Sequence, residues 1–535
     1  MNDKLCFQKD ESPNKGEKMI LAQYTIRSKQ DYIFKTNKVL EIIGASKNIA
    51  GIWDELFRVA DTISIKYQRA DEKFCFERIK KDFADDKLHM VELFCGGGNE
   101  TLIFSSEKIY HQLNKAFSYM ILKKYPGMIP MSVHAKAEGN YSYDYNKLMV
   151  ASDIKKNVME PQWDMFTVPF AMIDRATLQP YSTVRKINGI EVRMSDESYS
   201  KYEGARKIRD KKEVRVFDEM ITDKGKESLL AVVHCDGNNM GVKIRAMLNN
   251  EHNYDHAVEQ MRLFTKTTAD CFEIKGGEAL YKCFRNLDKN NKKLSDDKKL
   301  KESSYAYRRI ISSADDVTFI CNARFVMDYV KAYLDSVQNY ASNKKKNEKK
   351  EGKGNRYDTW TYSACAGICI FHSHYPFSRA YSIAEQACDE AKKKVHVTAD
   401  SGTSPIEQGW MDFHFIHSGI SGDLEELRRY QEIDHLIARP WIISGEYGNI
   451  TFSYANWLKL NNIIEKNKVS RSTLKTITSA YERSKSAAQT ELIHVFGHNK
   501  GFEKDLENIF ENEDERLQAL YDISEIYDLW YRGVK

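Results

Sequence analysis

The chain has 535 residues, 42% of them hydrophobic and 30% charged, which is long enough to bury several cores. Its 81 Lys plus Arg stand against 77 Asp plus Glu, a formal net charge of +4, so a globally basic nucleic-acid binder is excluded and any such contact falls to local clusters. The polar lead has no apolar core, and no stretch of the roughly 18 residues of a membrane span is apolar throughout, so a cytoplasmic protein making no membrane contact is expected.

After the lead (1–18), "MILAQYTI" (19–26) predicts a strand, and "KQDYIFKTNKVLEIIGASKNIAGIWDELFRVADTIS" (29–64) predicts helices broken near Gly44. "HMVELFCGGGNETLIFSS" (89–106) reads as two β-like runs around a glycine turn, Gly96, Gly97 and Gly98. A helix (108–127) ending at Pro126 and Gly127 follows, then a strand "MSVHAKA" (131–137). Residues 151–225 are charged and weakly periodic, a connector between a first module (19–150) and a second (226–415).

The second module repeats the order strand, helix, hairpin, helix, strand: "SLLAVVHCDGNNMG" (228–241), a mainly helical 253–287, the hairpin "YRRIISSADDVTFIC" (307–321), a helix (323–341), the strand "WTYSACAGICIFH" (360–372) and a last helix (377–394). The turn "CGGGNE" of the first unit stands where "SSADDV" stands in the second, as in a supporting and a catalytic copy. Two Lys-rich stretches, 286–304 and 342–356, interrupt the second module, as solvated loops or as nucleic-acid contacts. From about Leu424 the apolar periodicity predicts a separate helical domain, 416–535. The ten cysteines form no CxxC pair, which fits reduced, buried thiols and gives no tetrahedral structural zinc site.

Asp315 and Asp316 are adjacent at a hairpin turn, and like charges in contact call for a cation between them or for solvent. Asp236 ends the apolar run "LLAVVHC", and a mixed sheet can bring it beside the hairpin, giving three carboxylates suited to two hard divalent ions, Mg²⁺ or Mn²⁺. Gly237, Asn238, Asn239 and Gly241 form a turn whose backbone N–H groups can meet phosphate oxygens, or simply a turn. Lys392 lies beside a narrow helical face made by Ala384, Ala387 and Ala391, as a partner for a triphosphate or as a charge near a helix C-terminus.

These stretches resemble the large, polymerase-like subunit of type III CRISPR effector complexes. The resemblance is carried by "KQDYIFKTNKVLEIIGASKNIAGIW", "CGGGNETLIF", "VVHCDGNNMG", "SSADDVTF", "SACAGICIFHSHYPFSRAYSIAEQACDEAKK" and "WMDFHFIHSG". It implies an α/β (α+β) chain of two ferredoxin-like palm domains, the second GGDEF-like and catalytic, with a helical connector and a C-terminal helical domain. It also implies metal binding and catalysis at Asp236, Asp315 and Asp316, and nucleotide binding at Lys392 and the Gly237 to Gly241 turn. The product class would be a cyclic oligonucleotide made from ATP or other NTPs, with RNA or effector-complex protein subunits as partners and a homo-oligomer open. Ser313 and Ala314 stand where the family has a double glycine, and Asn238 where it has an acid; all three enter the nucleotide-binding set. An HD nuclease domain and a cysteine-bearing zinc element are not expected. A scaffold that has kept the fold without turnover is the alternative.

Overall fold

The structure, a computed structural model, describes residues 18–158, 171–206, 217–221, 228–248, 251–341, 360–399, 408–417 and 422–529, apart from a few single positions. The chain divides into two units, each with its own sheet. The first comprises Met1–Lys35, Ile43–Lys207 and Gly241–Thr267, and the second Thr36–Ile42, Ile208–Met240 and Thr268–Lys535.

In the first unit, strands β1 (Ile20–Arg27), β2 (Tyr67–Gln68), β3 (Met90–Gly96), β4 (Asn99–Phe104) and β5 (Ile129–Lys136) form one sheet in the order β2-β3-β4-β1-β5. Four of them, β3-β4-β1-β5, make the ferredoxin-like arrangement, with β1 paired antiparallel to both β4 and β5. Alternation along β1 sends Leu21 to a core shared with Ile103, Val133, Tyr141 and Met261, while Tyr24 faces Phe104, Tyr110 and Phe117 on the opposite side. The connector adds the hairpin of β6 (Thr183–Ile187) and β7 (Ile190–Met194) and the helix Asp196–Arg206. That helix lies so close that a Cβ on Gly44 would sit 1.6 Å from the Lys201 carbonyl oxygen. The glycine where the sequence predicts a break is therefore a packing contact inside a continuous helix, Val39–Ala50.

The second sheet contains β8 (Leu229–Gly237), β9 (Tyr307–Ser313), β10 (Asp316–Asn322), β11 (Ala364–His372), β12 (Gly409–Phe415) and β13 (Trp441–Ser444), in the order β13-β12-β11-β8-β10-β9. Its β11-β8-β10-β9 portion repeats the strand order of the first sheet, so the internal duplication seen in the sequence is a duplication of topology. β8 is hydrogen-bonded on both sides, and Leu230, Ala231, Val232, Val233 and Cys235 are fully buried. Against it packs the helix Phe377–Ala399, whose Ala384, Ala387 and Ala391 are inaccessible to solvent. The small-residue face predicted from sequence is thus a face of close approach: a Cβ on Gly367 of β11 would meet the Ala384 carbonyl oxygen at 1.9 Å.

Two features differ from the sequence reading. Residues 416–535 are not wholly helical, because β13 pairs with β12 and joins the sheet of the second module. The first Lys-rich stretch begins inside the helix Gly276–Asn291; beyond it the lysines are exposed, as a solvated loop requires, and the loop is closed by Asn291 Nδ2 donating to the Leu300 carbonyl at 2.9 Å and the Leu300 N–H returning to Asn291 Oδ1 at 2.9 Å. The second, 342–356, lies outside the described residues. No helix among the described residues is long and apolar enough to cross a membrane. Seven of the nine described cysteines are buried, and all nine are free thiols.

A buried ionic network fastens the C-terminal helix Glu513–Ile526 to the sheet. Asp522 Oδ2 accepts from the N–H of Ala438 (3.1 Å) and Arg439 (2.8 Å) and from Trp441 Nε1 (2.7 Å). Arg439 also reaches Asp522 Oδ1 at 3.2 Å and pairs with Glu525, while Arg428 forks onto Asp412 of β12 at 3.0 and 2.7 Å. Burial pushes the Asp522 carboxyl up to about 7, against the pull of Arg439. Its proton is therefore held more tightly in the folded chain than in the unfolded one.

Two outcomes follow from this packing. Gly367→Ala should cost about 1–3 kcal/mol or more in denaturant unfolding, because backbone rather than a flexible side-chain tip occupies the new methyl's place. Between about pH 4 and pH 7 the native state binds more protons than the unfolded chain at Asp522, so this contribution to stability falls as pH rises through that window and levels off above it. His234 and His414, which burial pushes down to about 4 and about 3, give the opposite slope over part of that range, so the difference in unfolding midpoint between the wild type and Asp522→Asn, measured across it, should carry the Asp522 slope.

Candidate active site

Asp236 is the penultimate residue of β8, opposite Cys365 of β11, and Val317 of β10 faces Cys235. The antiparallel register therefore brings the β9–β10 turn, with Asp315 and Asp316, to the end of β8 where Asp236 emerges. The turn and the strand end meet closely: a Cβ on Gly237 would lie 2.9 Å from the Asp315 Cβ and 3.1 Å from the Phe272 ring. Glycine is required there so that Asp315 can lie across the strand.

The Asp315 and Asp236 carboxyl groups are in side-chain hydrogen-bond contact, and burial, then the Asp236 charge, pushes Asp315 up to about 6. Lys392, on the helix Phe377–Ala399, donates to Asp236 Oδ2. Burial acts to lower the Lys392 pKa, but the Asp236 carboxylate holds it above its ordinary value, so the ammonium stays charged. Asp236, Asp315 and Lys392, predicted separately from sequence, are thus one cluster.

Asp316 is placed differently. Its Oδ1 lies 3.5 Å from His234 Nδ1, whose ring also contacts Thr318 Oγ1 at 3.2 Å. Burial pushes His234 down to about 4, so this imidazole is neutral at physiological pH. Among the described residues, the aspartate triplet is not a group whose ligating atoms all lie within 4.8 Å of one another. The pair Asp236 and Asp315 forms the close carboxylate contact, with Asp316 beside it.

The turn residues also separate by role. Asn238 is buried, and its Nδ2 donates to Ser363 Oγ (2.8 Å) and to the Gln408 carbonyl (2.9 Å), while its N–H donates to the Ser363 carbonyl (2.9 Å). It ties the strand end to two neighbouring segments rather than facing outward. Asn239 is half-buried with φ 57°, a left-handed conformation that asparagine tolerates. Gly241 belongs to the first unit and is exposed in the helix Met240–Leu248; among the described residues, Arg245 Nη1, at 3.8 Å, would meet its Cβ. Ser313 ends β9 opposite Asp316, and Ala314 takes φ 55°. An L-residue with a Cβ is strained there, where a glycine would not be.

One residue absent from the sequence reading supports this turn. Glu273 Oε1 accepts the Ala314 N–H at 2.6 Å, and burial raises its carboxyl pKa. Glu273 lies in a short π-helical segment, Asp270–Lys275, which also supplies the Phe272 ring under Gly237. The extra residue of a π turn lets one segment touch both site turns. Helical periodicity alone carries no signal for such a bulge.

Residues 229–398 match the family model described as Cas10/Cmr2, second palm domain. The match lies within the second module, which is therefore similar to that palm domain. No curated protein matches it. Among solved structures, a Csm1-Csm4 cassette in complex with cA4 is 11% identical with a TM-score of 0.49, covering 96% of this chain and 70% of that chain. The apo Csm1-Csm4 cassette is 11% identical with a TM-score of 0.49, covering 97% and 71%. Csm1 in T. onnurineus is 10% identical with a TM-score of 0.42, covering 96% and 70%. Likenesses this distant say nothing about what this chain binds.

The site makes a paired stability prediction. Ala314→Gly should stabilise the chain by about 1 kcal/mol in equilibrium unfolding, by relieving the left-handed strain. Glu273→Ala should destabilise it by about 1–3 kcal/mol, because the Ala314 N–H loses its acceptor.

Proposed function

We propose that the chain is a metal-dependent nucleotidyltransferase that joins ATP or other NTPs into a cyclic oligonucleotide, a second messenger of antiviral defence. The observation that carries this reading is the Asp236–Asp315–Lys392 cluster at the end of a central, fully buried strand. Two carboxyl groups in contact, one of them pushed up to about 6 by burial and the other's charge, are a donor set that a hard divalent cation relieves. Asp236 and Asp315 would hold Mg²⁺ or Mn²⁺, with Asp316 adjacent for a second ion. A bound ion would supply charge stabilisation for attack of a ribose hydroxyl on an α-phosphate, with pyrophosphate as leaving group.

The chain's own residues orient and neutralise. Gly237 lets Asp315 lie against the strand end, and Glu273 fixes the turn carrying it. Lys392 holds a half-buried positive charge beside Asp236, positioned to exchange that partner for triphosphate oxygens. RNA or effector-complex subunits are the partners this reading calls for.

Asn238 favours a second reading, a palm-fold scaffold without turnover. The family's acidic position here carries no charge, and its amide nitrogen donates to Ser363 and Gln408.

Incubation of the protein with labelled ATP and Mg²⁺ or Mn²⁺, with and without RNA from challenged cells, separates the two by its products. A cyclic product is expected, reduced at least about a hundredfold in Asp236→Asn and in Asp315→Asn. Lys392→Ala should raise KM for the nucleotide more than it lowers kcat. No product under any of these conditions would establish the scaffold, and equal product from Asp236→Asn would overturn the assignment of turnover to this site.

A further inference from the structure

A second cluster lies in the first unit, on the edge strand of its sheet. Ser106 caps the helix Glu107–Lys124, its side chain accepting the Ile109 N–H at 3.4 Å, so that Glu107 and His111 stand one turn apart on the same face. β5 brings His134, paired in register with Ala22 of β1, to that face. The Tyr110 hydroxyl and Ser132 Oγ, 2.9 Å apart, hold helix and strand together, and the Tyr110 ring lies 4.5 Å from the His134 ring.

Glu107 Oε1 is 3.4 Å from His111 Nε2 and 3.3 Å from His134 Nε2. The two imidazole rings are 5.7 Å apart, and all three ligating atoms lie within 4.8 Å of one another. Ligands about 2.0–2.1 Å from a tetrahedral zinc ion are separated by about 3.3–3.4 Å. Two of the three edges of such a site are therefore already set, and a small rotation of the exposed His111 ring closes the third.

We propose that Glu107, His111 and His134 bind one divalent transition-metal ion of the zinc class, with a fourth position open to water or an external ligand. Two imidazole nitrogens and one carboxylate oxygen favour Zn²⁺, Co²⁺ or Ni²⁺ over the hard ions suited to an all-aspartate set. The cysteine pattern, which excludes a tetrathiolate zinc site, does not bear on this one. Glu107 and His111 are 55% and 60% exposed and His134 is 32% exposed, so the ion can enter and substitutions leave the core intact.

The test is calorimetric titration of metal-stripped, full-length protein with Zn²⁺ in excess Mg²⁺, repeated with Co²⁺ and read by its visible absorption. One Zn²⁺ equivalent is expected, with tetrahedral Co²⁺ bands, and its affinity should fall at least about tenfold in His111→Ala and in His134→Ala. His494→Ala, which breaks another histidine pair one helical turn apart, serves as the control and should leave the binding unchanged. Circular dichroism of the variants establishes that they are folded, and His134→Gln repeats the measurement with a bulkier replacement. No retained zinc in the wild type, or zinc retained equally by the His111 and His134 variants, would overturn the proposal.

Discussion

The contact between the Asp236 and Asp315 carboxyl groups is the constraint from which the second module's site follows. Two acids held together inside a protein repel, and the chain meets that cost with the Lys392 charge, with burial that favours a proton on Asp315, and with a rigid support behind each carboxylate. β8 delivers Asp236 from a strand paired on both sides, so the strand end cannot retreat. Gly237 removes the side chain that would keep Asp315 away, and Glu273 holds the strained turn from behind. The close helix packing over Gly367 fixes the height of Lys392 above the sheet.

The first module shows what the same strand order becomes without that constraint. Its β3–β4 turn carries Gly97 and Gly98 at φ 58° and 70°, and Lys29 Nζ donates to their carbonyl oxygens at 3.4 and 2.9 Å. Among the described residues a Cβ on Gly97 would meet nothing within 4 Å, so backbone conformation, not crowding, requires glycine there. One topology thus supports a carboxylate turn in one copy and a lysine-capped glycine turn in the other.

Much of this was legible in sequence because strand and helix periods are local signals. The order of elements in both modules, the hairpin turn holding Asp315 and the alanine face beside Lys392 all follow from short windows. What was not legible depends on packing. Asn238 belongs to a turn-forming tetrad, and only the fold shows its amide tied to Ser363 and Gln408. Glu273 sits in a helical run whose π turn leaves no mark on periodicity. His111 and His134 are distant in sequence and meet only because a helix and an edge strand pack. The strand β13 is four residues long, too short to outweigh the helical pattern around it.

The proposed role of Asp236 and Asp315 requires that they hold a divalent cation together with a nucleoside triphosphate. Electron paramagnetic resonance of Mn²⁺ added to the full chain with a non-hydrolysable ATP analogue tests it without requiring turnover. The signal of free Mn²⁺ should fall as the ion is bound, the analogue should strengthen this binding, and Asp236→Asn and Asp315→Asn should each abolish the strengthening. Mn²⁺ binding that is indifferent to the analogue, or unchanged in both variants, would contradict it.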